Sequence, residues 1–282
     1  MGKFILISTI LAISAGSAAF AKSQLSGPNQ GPSQTQSLQQ RQSLQQRQSL
    51  QQKQSLQQKQ SLLIVAVDAG HGGSNVGAVG LNPMITEKTV TLQIAKRLAA
   101  ALTARGAKVV LVRQGDQFMT LRQRSAIANH AHADVFVSLH LNASRDHSWS
   151  GFETYFLSAE AVDIDSRALR TIGEPRQGIS AAISRLLDDV ERGLAQPRSA
   201  ALAKAIQKEL TTVRPHFRNR GVKQESMHVL LGATMPAVLV EVGFIDHPLE
   251  GRQLLEPSVQ DQLATAISDA IVGNTIGHAI GR

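Results

Sequence analysis

A chain of 282 residues, 42% of them apolar, can bury a sizeable core, but aromatics make up only 4%, so Val, Ile, Leu and Ala must fill it. There is no cysteine, which excludes disulfides and thiolate metal sites and leaves His, Asp and Glu as the metal donors. The formal charge of +8 does not indicate a nucleic-acid-binding domain, because Lys3, Lys22, Arg41, Arg47, Lys53 and Lys59 face no acid before residue 62 and only +2 remains for the rest of the chain.

The chain starts with Lys3, an apolar run from Phe4 to Ile13, and small residues ending at Ala19-Phe20-Ala21. That layout predicts a signal peptide over residues 1–21, cleaved after Ala21. The run is shorter than the roughly 20 residues a spanning helix needs, so no stable membrane span is expected. The protein is therefore expected to be exported, to the periplasm, the cell envelope or the outside. Residues 22–61 read as a Gln-rich linker, with SLQQRQ or SLQQKQ repeated four times between Ser37 and Gln60. Leucines six apart advance about 240° around a helix at each repeat and never share a face. The repeat predicts a disordered, low-complexity tail, with weak adhesion to an anionic surface as a secondary reading.

Globular composition begins at Leu62. The runs LLIVAV, AKVVLVR (107–113) and ADVFVSL (133–139) predict strands buried on both faces. Between them, residues 87–106 and 120–131 carry helical periodicity, with Gly106 and Thr120 as cap candidates. GFETYFL (151–157), HVLLG (228–232) and PAVLVEVGF (236–244) predict further strands, and helices are expected to start near Pro197 and Pro257. The alternation predicts an α/β fold: a single domain over residues 62–278 with a largely parallel twisted sheet flanked by helices.

Chemistry in open α/β sheets gathers at the carboxyl ends of the strands. His71 follows the first strand, His140 ends the third, Glu241 ends the last, and Glu87 opens the first long helix. Each has a plain structural reading: a hydrogen-bonded histidine, or an acid favoured at a helix N-terminus. Glu241 is the hardest to explain that way, because a buried carboxylate without a partner costs several kcal/mol. Two histidines and a carboxylate form a known catalytic zinc set, and a second carboxylate beside the bound water would act as general base.

The segments VDAGHGG, TEKTVTLQIAKRLAAAL, LVRQGDQFMTLRQRSAIAN, ADVFVSLHLNA and MPAVLVEVGFIDHPLEGRQLL resemble, in order, the zinc-dependent N-acetylmuramoyl-L-alanine amidases of the cell-division type. The resemblance implies a peptidoglycan hydrolase cutting the amide between N-acetylmuramic acid and L-alanine, in wall remodelling or daughter-cell separation. It implies one zinc ion on His71, Glu87 and His140, with Glu241 as the catalytic glutamate. Two departures, Leu141 and His247, leave those four positions untouched. Gly70, Gly72 and Gly73 are expected to let the backbone turn tightly and to admit substrate to the metal without Cβ clashes. Asp68 is expected to orient His71 or cap its turn, and Asn142 to bind substrate or close its loop. In such relatives a helix from the region corresponding to 159–196 covers the zinc until a protein activator displaces it, which makes Glu174, Asp188, Asp189 and Glu191 candidate autoinhibitory acids. The other reading of that segment is a surface helix packed through Ile183, Leu186, Leu187 and Val190. Two other functions compete: a zinc carboxypeptidase acting on stem peptides, and a non-catalytic wall-binding protein.

Overall fold

The computed structural model describes residues 62–158 and 178–279. The expected signal peptide, the Gln-rich linker and Glu174 lie outside the described residues. The sheet has six strands in the order β2-β1-β3-β6-β4-β5. These are β1 (Ile64–Ala69), β2 (Lys108–Leu111), β3 (Val135–Asn142), β4 (Phe152–Leu157), β5 (Asn219–Glu225) and β6 (Ala237–Phe244). The four strands β2, β1, β3 and β6 run parallel, while β4 pairs antiparallel with β6 and carries β5 parallel to itself.

One face is covered by α1 (Glu87–Ala104), α3 (Ala181–Val213) and α5 (Pro257–Ala279). Ile94, Leu98, Leu202, Ile206, Leu263 and Ile267 from these helices pack on Val65, Val137 and Val240 in one apolar cluster. The other face is thinner, with Phe136 and Tyr155 packed beneath α2 (Leu121–His130) and a short 3-10 turn, His228–Leu230. A short α4 (Glu250–Gln253) follows β6. Thr120 caps α2 as expected, in a reciprocal capping box with Gln123.

Three expectations are corrected. HVLLG is not a strand but a 3-10 turn, its apolar residues plugging the thin face without joining the sheet. The sixth strand is instead NRGVKQE, only half-buried at the sheet edge and too polar to show strand periodicity. No helix starts at Pro197, because α3 runs through that residue from an N-cap at Ser180. An interior proline costs about 3 kcal/mol, which burial of Leu202, Ile206 and Leu210 offsets. The first half of α3 behaves differently: Ile183, Leu186, Leu187, Val190 and Leu194 are exposed, so the described residues show no packing through them of the kind expected for a surface helix.

Candidate metal centre

The parallel order brings the carboxyl ends of β1, β3 and β6 side by side, and α1 opens just above them. His71, Glu87 and His140 meet there, one donor atom of each lying within 4.8 Å of the others. Glu87 stands between the imidazoles, with Oε2 3.0 Å from His71 Nε2 and Oε1 2.8 Å from His140 Nδ1. The two rings are 5.0 Å apart, nearly perpendicular.

The tautomer of His71 follows from its outer contact. Asn75 Oδ1 accepts from Gly77 N–H, which identifies that atom as the amide oxygen, and it also accepts from His71 Nδ1–H at 2.9 Å. A neutral His71 therefore turns a lone pair at Nε2 toward a carboxylate oxygen. Two acceptors 3.0 Å apart need a shared proton or a cation, so the donor set fits a divalent ion with two neutral imidazoles and one carboxylate.

Electrostatics favours an ionised carboxylate between the two rings. Burial works against the ionised form of Glu87, but hydrogen bonds from His140 and His71 outweigh it and hold the carboxyl far below the usual range. Burial likewise opposes charge on His71, yet the hydrogen bond and charge of Glu87 raise its pKa. Backbone N–H groups of Ala78 and Leu141 also donate to Glu87.

The neighbourhood is tightly built. His71 adopts a left-handed φ of 59°, uncommon for a residue with a side chain. Arg124 holds it there, donating to the carbonyls of His71 and Ala69 and to Asp68 Oδ1. Arg113, also buried, donates to the carbonyls of Ala69, Gly70 and Lys88. A Cβ on Gly70 would lie 2.5 Å from the His140 ring, so this glycine makes room for the imidazole. Gly72 and Gly73, at φ of 131° and 59°, make the tight turn expected of them, but a Cβ on them would meet Gln117 or Phe118, which corrects the expectation that these glycines keep a path open for substrate.

Glu241 pairs in register with His140 across β3 and β6. Its Oε2 is buried without a hydrogen-bond partner. Burial, and then the charges of Glu87 and Glu153, push its pKa well up.

A family model described as N-acetylmuramoyl-L-alanine amidase matches residues 65–273, nearly all of this sheet and its helices. The chain belongs to that family. Within it, the chain is 34% identical over 208 residues to the amidase LytC of Bacillus subtilis, which covers 74% of this chain but only 34% of LytC. It is 31% identical to a putative N-acetylmuramoyl-L-alanine amidase of Buchnera aphidicola, covering 94% of that protein. Among solved structures, the amidase AmiC2 of Nostoc punctiforme superposes with a TM-score of 0.60 at 28% identity, over 76% of this chain and 97% of that one.

The remaining candidates of this amidase domain are placed as follows. Asp68 is buried and occupied by Arg124 and Ser138, so it neither touches the His71 ring nor caps the turn. It reaches His71 only through Arg124, while Asn75 takes the orienting role. Asn142 donates to Glu153 Oε1, and Glu153 also accepts from Tyr155, Arg220 and Lys223. Asp188, Asp189 and Glu191 belong to the first half of α3. Ser199 Oγ accepts from the N–H of Ala237, the first residue of β6, while Gln207 reaches Phe152 near the rim. Arg192 and Ala195 line a small cavity with Leu157 and Ala237. Glu191 thus sits toward the end of the sheet opposite His71, Glu87 and His140 and is not brought to them. Asn75, Arg113, Arg124 and Glu153 were missed in the sequence. Arg113, a charge closing the apolar run VVLV, and Glu153, an acid inside GFETYFL, carried a detectable signal.

Proposed function

We propose that this chain hydrolyses the amide joining N-acetylmuramic acid to the L-alanine of the stem peptide in peptidoglycan, with one zinc ion on His71, Glu87 and His140. The convergence of two imidazoles on one buried carboxylate carries the reading, and family membership supplies the reaction. Bound zinc would supply a water of pKa near 7 and polarise the scissile carbonyl. Asn75 keeps the Nε2 lone pair of His71 turned inward, and Ala78 and Leu141 hold Glu87 ionised and oriented. Glu241 Oε2, one strand away and without another partner, takes the proton of the attacking water and returns it to the leaving alanine nitrogen. A carboxylate whose pKa is pushed up is the stronger base once ionised. The leader-like start of the sequence supports action outside the cytoplasm, and no helix among the described residues is long and apolar enough to cross a membrane.

Digestion of purified sacculi, read by mass spectrometry, tests this reading. Intact stem peptides starting at L-alanine should appear, vanish with a chelator and return with zinc. Glu241→Gln should retain one zinc per chain and lose a factor of about 10² to 10⁴ in turnover. Release of a free terminal amino acid instead would favour the carboxypeptidase reading, and near wild-type turnover by the folded variant would remove Glu241 from the chemistry.

A further inference from the structure

The connection from β3 to β4 has to step over β6, because β6 lies between them in the sheet. It therefore crosses the carboxyl end of the strand that carries Glu241. The chain's one tryptophan, Trp149, is on this crossing and is 53% exposed.

The crossing is pinned at several points. Asp246, buried just beyond β6, accepts from Ser144 N–H at 2.9 Å and from the half-exposed ring of His147 at 2.8 Å. His147 itself takes a left-handed φ of 57°, and Trp149 N–H donates to Ser144 Oγ. The indole is 6.4 Å from the ring of Phe244, and the Arg220 guanidinium sits 4.7 Å from its centroid. These contacts fix the ring's orientation while leaving about half of the residue open to solvent.

Trp149 is also continuous with the candidate site. Glu153 pairs in register with Glu241 across β4 and β6, and Glu241 with His140 across β3 and β6, so the three share one face. Glu153 holds Arg220, and Arg220 stacks on Trp149. Phe244 lies three residues beyond Glu241, about 10 Å along the strand. The indole, held against Phe244 and Arg220, thus lies at the carboxyl end of β6, outward from Glu241.

Resting on the amidase reading, we propose that Trp149 is the platform on which a sugar ring of the glycan strand stacks, next to the muramic acid whose amide is cut. The substrate has two arms, a glycan and a peptide. The peptide arm begins with alanine, which offers a single methyl group to a broad flat ring. A sugar ring presents a face of C–H bonds that an oriented, amphipathic indole matches, and it needs no charged partner. Asp246 acts as a positioning residue, holding the crossing to the end of β6.

Because Trp149 is the only tryptophan, its fluorescence reads the contact without any turnover. The full chain is titrated with peptide-free strands of alternating N-acetylglucosamine and N-acetylmuramic acid, and separately with the free stem peptide. The strands should change the emission saturably and at least tenfold more tightly than the peptide. Trp149→Ala should raise KM on glycan-bearing fragments about tenfold with kcat within about twofold. No response to the strands, an equal or tighter response to the peptide, or an unchanged KM in the variant overturns the proposal. Its failure is separable from that of the amidase reading, which fails only if the wild-type chain releases no stem peptide from sacculi.

Discussion

The half of the rim built from β1, α1 and β3 and the half built from β6, β4 and β5 each bury a carboxylate, and the protein treats the two in opposite ways. Glu87 receives two imidazoles and two backbone N–H groups, and its acidity is driven up. Glu241 receives no hydrogen bond at Oε2, lies near Glu87 and Glu153, and its acidity is driven down. Both carboxyls lose solvation, so the difference comes from the partners: the donors around Glu87 favour its ionised form, as the proposed metal ligand requires, and their absence at Glu241 raises its pKa, as the proposed base requires. Glu153 sharpens the point. It lies next to Glu241 in the sheet, yet Lys223, Tyr155, Arg220 and Asn142 satisfy it and burial no longer prevails, so its pKa is lowered.

Breaking the ligand half should give the largest effect. Glu87→Gln removes the charge between the two imidazoles, so on the proposed zinc reading bound metal should fall sharply and turnover by on the order of 10³, equivalent to several kcal/mol of barrier. Metal analysis of the purified variant separates this from Glu241→Gln, in which the metal stays. Next is the scaffold of that half. Arg124→Met leaves Asp68 buried without its cation and should cost about 3–5 kcal/mol of folding stability, read by denaturant unfolding. Asn75→Ala should be milder, weakening zinc affinity roughly 10- to 100-fold through the freed His71 ring while stability stays near wild type.

The smallest effect belongs to Glu153 and concerns pH. Its folded pKa lies below the unfolded value of about 4.3, so its contribution is present above that value and fades as pH falls through the folded one. Glu153→Gln should therefore flatten the acid limb of the stability curve, measured by thermal unfolding between about pH 5 and 3. An unchanged limb would mean that the cations around Glu153 do not favour its ionised form.

Buried apolar runs made β1, β3 and β6 legible in the sequence, and helical periodicity with a cap candidate at Thr120 made α2 so. The edge strand β5 escaped because a half-buried strand rich in Asn, Arg, Lys and Gln carries no apolar alternation. The continuity of α3 through Pro197 escaped for a different reason. Proline at that position is a good start signal locally, and only packing on the sheet decides that the helix already exists before it.

What residue types and their order determined was the set of strand ends and the four chemical side chains on them, His71, Glu87, His140 and Glu241, because a strand's carboxyl end and a helix's first turn are local features. What only the tertiary structure decided was which atoms face each other. Strand order placed β6 between β3 and β4, which brought Glu241 beside His140 and carried Trp149 across its end. Long-range contacts put Arg124 rather than Asp68 on the backbone of His71, and took the first half of α3 away from the cluster. Such partners lie tens of residues apart in the chain, and no local pattern of polarity encodes which distant donor will reach a given acceptor.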